Sequence, residues 1–110
     1  MEEGKISFED FKKLEIKVAE VLEVSEHPDA DRLYVVKIKV GDVSKQIIAG
    51  IRSNYEKEEL VGKKVVIIDN LEPATIRGEE SQGMILAASG GNGPVIVVPE
   101  KDVPSGSFVK

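Results

Sequence analysis

An all-β domain is what this 110-residue sequence predicts: a five-stranded Greek-key barrel with short helices and a C-terminal extension containing an extra strand. Three observations carry that expectation. Apolar and polar residues alternate with period two along most of the chain. The runs are joined by short segments rich in Gly, Pro, Asp and Asn. Stretches of helical character are too brief to cover a sheet as a second layer, so a sheet curled on itself is the way to bury an apolar face. At this length the chain is one domain, 1–110, with the barrel core over about 14–89 and the extension over 90–110.

Ser7-Phe8-Glu9-Asp10 begins the pattern as a helix start, a hydroxyl N-cap with an acid three residues on, followed by one or two turns. From Leu14 the period becomes two: Leu14, Ile16 and Val18 share one parity, and Leu22 and Val24 resume it beyond Glu20, giving a long, bent first strand. "SEHPDADR", Ser25 to Arg32, is a loop of turn formers. Leu33 to Val40 is the second strand, with Tyr34, Val36, Ile38 and Val40 on one face and Leu33, Val35, Lys37 and Lys39 on the other. Gly41-Asp42 opens a hairpin turn, and Lys45 to Ala49 returns as the third strand. Tyr55 to Leu60 reads as a short helix closed by Gly62. Lys64 to Asp69, with its Val-Val-Ile-Ile run, is a fourth strand buried on both faces. Asn70 to Gly83 is a polar loop, Met84 to Ser89 a fifth strand, and Val95 to Val98 the extra one. Three strands, a short helix and two strands is the order of an OB-fold, whose ligand surface is the outer face of strands two and three with the loops after strands one and four.

Composition narrows the function. With 41% hydrophobic and 32% charged residues the chain is globular. Its apolar runs reach four or five residues, far below the roughly 18 of a membrane span. Met1-Glu2-Glu3-Gly4 lacks the basic and apolar segments of a signal peptide, so a soluble, cytoplasmic protein with no membrane partner is expected. There is no cysteine and one histidine, His27. Disulfides and thiolate chemistry are excluded, and a catalytic triad or a multi-histidine metal site would have to be built around that one ring. A net charge of -5 argues against indiscriminate nucleic-acid binding, so any such contact must use a local patch.

Candidate chemistry is sparse. His27, Asp29 and Asp31 match no metal-loop spacing, and Arg32 is placed to pair with those aspartates. Glu79 and Glu80 are neighbours that point in different directions, with no nucleophile beside them, so no catalytic residue, metal or cofactor is expected. Lys37 and Lys39 share a strand face, and Lys45 joins them only if the hairpin loop has an odd length. Tyr34 and Tyr55 either stack on bases or cap the core.

The stretches "LEIKVAEVLEVSEHPDADRLYVVKIKVG", "QIIAGI", "YEKEELVGKKVVIIDNLEPATIRGEESQGMILAAS" and "VPSGSFV" closely resemble the tRNA-binding domain appended to methionyl-tRNA synthetases. That domain also occurs in free-standing tRNA-binding proteins and in endothelial monocyte-activating polypeptide. The resemblance implies an OB-fold that binds tRNA by shape and aids a synthetase whose catalytic chain or domain lies elsewhere. It also implies a homodimer built through the C-terminal extension, Gly93 to Lys110, with packing of that segment back on the barrel as the alternative. Carried onto this chain, its RNA-binding candidates are Lys45, Asn70, Arg77, Ser81, Gln82 and Met84, beside the strand lysines Lys37 and Lys39. The basic residues frequent before the family's Arg-Gly are replaced here by Glu72 and Thr75.

Overall fold

The computed structural model describes residues 3–110. Met1 and Glu2, half of the segment read above for signal-peptide character, lie outside the described residues. Helix α1 (Phe8–Lys12) starts at the expected cap: Ser7 is extended and its hydroxyl accepts the Asp10 amide. The long strand β1 (Ile16–Glu26) is followed by the hairpin of β2 (Tyr34–Val40) and β3 (Val43–Ala49), then by α2 (Lys57–Leu60) and β4 (Lys64–Ile68). Short strands complete the chain: β5 (Ala74–Ile76), β6 (Glu79–Ser81), β7 (Met84–Ile85), β8 (Ala87–Gly90) and β9 (Gly93–Ile96).

Five of these strands form one curled antiparallel sheet in the order β3-β2-β1-β4-β7, a half-barrel of OB type, while β5-β6 and β8-β9 are separate two-stranded ribbons. The concave side holds the core. Tyr34, Val36, Ile38 and Val40 enter it from β2 as their alternation requires, with Ile47 from β3, Ile67 from β4 and Leu60 from α2. Ile38, Ile47, Leu60 and Ile67 are each less than 2% exposed, and burying a side chain of that size is worth roughly 1.5–3 kcal/mol. Tyr34 donates its hydroxyl to the Tyr55 carbonyl, and the Tyr55 hydroxyl accepts the Ile96 amide, so both tyrosines cap the core. Burial pushes the Tyr34 phenol above its ordinary value.

Several elements depart from the expectation for identifiable reasons. In β1 the core face is Ala19, Val21 and Val24, and Leu22 is exposed. A bulge between Val21 and Glu23 inserts Leu22 as an unpaired residue, which flips the parity that simple alternation assumed. Val18 is buried on the opposite face, beneath the C-terminal extension: its amide donates to the Ser107 carbonyl, and its carbonyl accepts the Gly106 amide. Val109 bonds Ile16 in the same way, so the extension packs back on the barrel along the free side of β1. The expected fifth strand breaks in two, because past Leu86 the chain leaves β4 and turns to pair β9. The extra strand ends at Ile96; the Val97 amide and carbonyl bond Leu86 and Val66 individually. The polar loop contains a hairpin, β5-β6, whose turn residues Arg77 and Gly78 have φ of 53° and 91°. Two successive positive φ values are the pattern of a type I′ turn, in which Gly78 supplies the freedom and Arg77 is held at the tip.

Among the described residues no helix is long and apolar enough to cross a membrane.

Candidate nucleic-acid interface

The β2-β3 turn is two residues long, with Val40 opposite Val43, and that even length decides the lysine question. Lys45 pairs with core-facing Ile38, so it points away from Lys37 and Lys39. Those two lysines stand exposed on the outer face in mixed rows: Glu20, Lys39 and Ser44 across three strands, and Glu23, Lys37 and Gln46 beside them. Lys37 donates to the Gln46 side chain. These rows hold two cations and two carboxylates, and the Glu79 carboxylate reaches the Gln46 side chain beside them, a balance that charge alternation along β2 does not reveal.

Lys45 ends in an ion pair. Its ammonium lies 2.7 Å from Asp69 Oδ1 and also donates to the Asp69 carbonyl, while Lys17 approaches Oδ2 at 3.0 Å. Burial alone pushes the Asp69 carboxyl up, but hydrogen bonds from Lys45 and Lys17, with their charges, outweigh it and leave the group below its ordinary value. The hydrogen bond to Asp69 raises Lys17, against partial desolvation. Lys17 also lies 4.9 Å from the centre of the Phe108 ring, which ties the extension to this cluster.

Three other candidates are engaged in the framework. Asn70 accepts the Glu15 amide through Oδ1 and donates through Nδ2 to the Lys13 carbonyl, fastening the α1-β1 link to the end of β4. Ser81 is only 4% exposed; its hydroxyl accepts the Ile48 amide and donates to the Gly83 carbonyl. Gln82 accepts the Gln46 amide through Oε1 and donates its own amide to the Gln46 carbonyl. Side chains of residues 81 and 82 thus do for β3 what a neighbouring strand does elsewhere, closing the half-barrel where β7 is too short to reach. Gly83 completes that closure at φ 150°, where a Cβ would come within 2.9 Å of the Ile68 carbonyl oxygen. Met84 is half exposed on the rim of a cleft of about 320 Å³ floored by Ile48, Ile51, Ile76 and Ile85.

Arg77 is the candidate that reaches outward. From the hairpin tip its Nη2 donates to the Asp29 carbonyl, bringing the β5-β6 ribbon against the loop after β1. The link that sequence reasoning missed is His27, which is 3% exposed. Its Nδ1 accepts the Asp29 amide and its Nε2 donates to the Ile76 carbonyl, so one ring clamps loop and hairpin together. A lone histidine in a turn-rich stretch carried no signal for that role. Arg32, expected to pair with the nearby aspartates, makes no ion pair with them; it lines a notch of about 350 Å³ with Asp29, Asp31 and Arg77. Among the described residues no three His, Cys, Asp or Glu side chains gather in a way that would hold a metal ion.

Known proteins resemble this chain in sequence and in fold. The methionine–tRNA ligase of Thermococcus kodakarensis is 49% identical over 105 residues, covering 96% of this chain and 14% of the ligase. That of Deinococcus radiodurans is 46% identical over 109 residues, 98% of this chain and 16% of the ligase. This chain therefore spans about a seventh of the length of such relatives. Among solved structures, the MetRS-related protein from Pyrococcus horikoshii superposes with a TM-score of 0.89 at 30% identity, covering 100% of both chains. The CsaA chaperone protein from Picrophilus torridus gives 0.89 at 33% identity, covering 96% of this chain and 100% of that one. The family model of a putative tRNA binding domain matches residues 16–108, from the start of β1 to the contact of the extension with it, and this chain belongs to that tRNA-binding domain family.

Proposed function

We propose that the chain is a noncatalytic, cytoplasmic tRNA-binding module of a methionine–tRNA ligase, as a domain of a longer chain or as a separate subunit. The position of Arg77 carries the reading: a guanidinium held at a hairpin tip, at the end of the β2-β3 face where OB barrels receive nucleic acid, in a member of a tRNA-binding family. Arg77, Lys37, Lys39 and Met84 form the RNA-facing set, with backbone contacts that follow shape more than sequence. Lys45, Asn70, Ser81 and Gln82 keep that surface in place. The catalytic chemistry belongs to the rest of the ligase. A tRNA gel shift with Arg77→Ala tests the assignment: a clear loss of retention at low salt is expected, and unchanged retention sinks it.

A second role has its own observation. A groove of about 400 Å³ between α1 and the chain end is lined by Phe8, Phe11, Leu14, Phe108 and Val109, and Phe8 is 70% and Phe108 60% exposed. Exposed aromatics in one groove suit a second copy of this chain, giving a homodimer that involves the C-terminal extension. Sedimentation should show a dimer that Phe8→Ser with Phe108→Ser dissociates; a monomeric wild type at micromolar concentration removes this role.

A further inference from the structure

The loop after β1 is fixed by protein donors while its charged side chains stay unspent. His27 pins its start, Arg77 donates to the Asp29 carbonyl, the Arg52 side chain to the Ala30 carbonyl, and the Arg52 amide to the Arg32 carbonyl. Arg52 is itself anchored to Glu26 at 3.4 Å. By contrast, the Asp29 and Asp31 carboxylates and the Arg32 guanidinium are exposed and, among the described residues, engage no hydrogen bond or ion pair. Acids and bases that stand in one notch without pairing are available to a ligand that offers partners to both.

Two arginines alone would suit any phosphate. The two aspartates change that, because an approaching phosphate meets their repulsion unless the ligand also brings hydrogen-bond donors. A ribonucleotide does so: carboxylates accept ribose hydroxyls in nucleotide sites, and the 2′-hydroxyl is the donor that RNA has and DNA lacks. We propose that this notch reads one ribonucleotide of a bound strand, with Arg32 and Arg77 on the phosphodiester and Asp29 and Asp31 on the ribose hydroxyls, and so selects RNA against DNA. The selection works largely by penalising the strand that leaves the carboxylates unsatisfied. This rests on the tRNA-binding reading and adds to it the part of the nucleotide that is recognised.

Anisotropy titrations at low salt test it, using a tRNA transcript, a single-stranded RNA and the 2′-deoxy strand of the same sequence. The wild type is expected to favour RNA over DNA about tenfold, the equivalent of one charge-assisted hydrogen bond. Asp29→Ala with Asp31→Ala should bring that preference below about threefold by strengthening DNA binding, with tRNA still bound. Arg32→Ala should weaken both strands and make the salt dependence shallower by about one contact, beyond any effect of Lys101→Ala on the extension. Circular dichroism confirms that these surface variants fold. Wild-type tRNA binding without an RNA preference, or a preference that survives the double aspartate variant, overturns the notch and leaves the tRNA reading intact. Absence of any tRNA binding overturns both.

Discussion

Ser81→Ala separates a residue of the frame from a residue of the contact surface. The hydroxyl accepts the Ile48 amide at 3.0 Å and donates to the Gly83 carbonyl at 3.2 Å, in a side chain that is 4% exposed. Removing it strands the amide at the closing edge of β3, at a cost of about 1–3 kcal/mol for an unsatisfied buried donor. Taking about 2 kcal/mol, and roughly 4–6 °C per kcal/mol for a domain of this size, Tm should fall by about 8–12 °C. Thermal and urea denaturation read that loss, with an unchanged m value showing that the barrel still unfolds as one unit. Affinity for tRNA, measured well below the lowered Tm, should stay within about twofold, since a hydroxyl facing inward has nothing to give RNA. An unchanged Tm together with lost tRNA retention would refute the closure argument and return Ser81 to the contact surface.

Asp69→Asn should cost about 2 kcal/mol near neutral pH, because it leaves Lys45 partly buried without its carboxylate and Lys17 with only the more exposed Glu15. The folded-state pKa of Asp69 is lowered, so its contribution is full above the unfolded value near 4 and fades as pH falls through the lower folded value; urea titrations of the two proteins should therefore converge in acid. Lys17, raised by the same contact, contributes below its unfolded value near 10.5 and loses that contribution only as pH rises through its folded value. Gly83→Ala should destabilise by about 2 kcal/mol or more, since its Cβ would press on the Ile68 carbonyl at a positive φ. Gly91→Ala, with nothing within 4 Å of its Cβ, should shift stability by no more than about 0.5 kcal/mol, and equal melting losses at both positions would contradict this account.

Strands whose one face is buried were legible because period two is a direct consequence of the pleat: β2 carries its core residues at the alternate positions expected. The bulge at Leu22 was not, since an inserted residue leaves the composition of a strand unchanged while reversing everything after it. Loop length had the same kind of leverage. "VGDV" reads as a turn of either parity, yet one residue's difference decides whether Lys45 faces solvent beside Lys37 or turns to Asp69. Within "IRGEESQGM" the chemistry was visible and its direction was not. Arg77 and Ser81 are both polar residues near glycines, but Arg77 stands at a turn tip and Ser81 lies against the edge of β3. That distinction depends on how β7 pairs with β4 and on where the edge of β3 lies, contacts with residues far from the motif in sequence.

The acidic balance then sets a quantitative expectation for RNA binding. Lys37 and Lys39 stand beside Glu23 and Glu20, and Lys17 and Lys45 share Asp69. Each neighbouring carboxylate lowers the positive potential a phosphate would meet, as Asp29 and Asp31 do beside Arg32 and Arg77. If two or three phosphates are neutralised, each contributing about -0.7 to -0.9, the plot of log K against log salt should have a slope of about -1.4 to -2.7. A basic OB surface with many free lysines would give a much steeper line. A slope beyond about -4 would require cations that one copy of this chain does not present on that face, and the dimer would then have to be part of the binding surface rather than a separate property. Because the same titration on Phe8→Ser with Phe108→Ser isolates one copy, a steep slope that survives in that variant would show that the carboxylates beside the lysines do not restrain RNA binding at all.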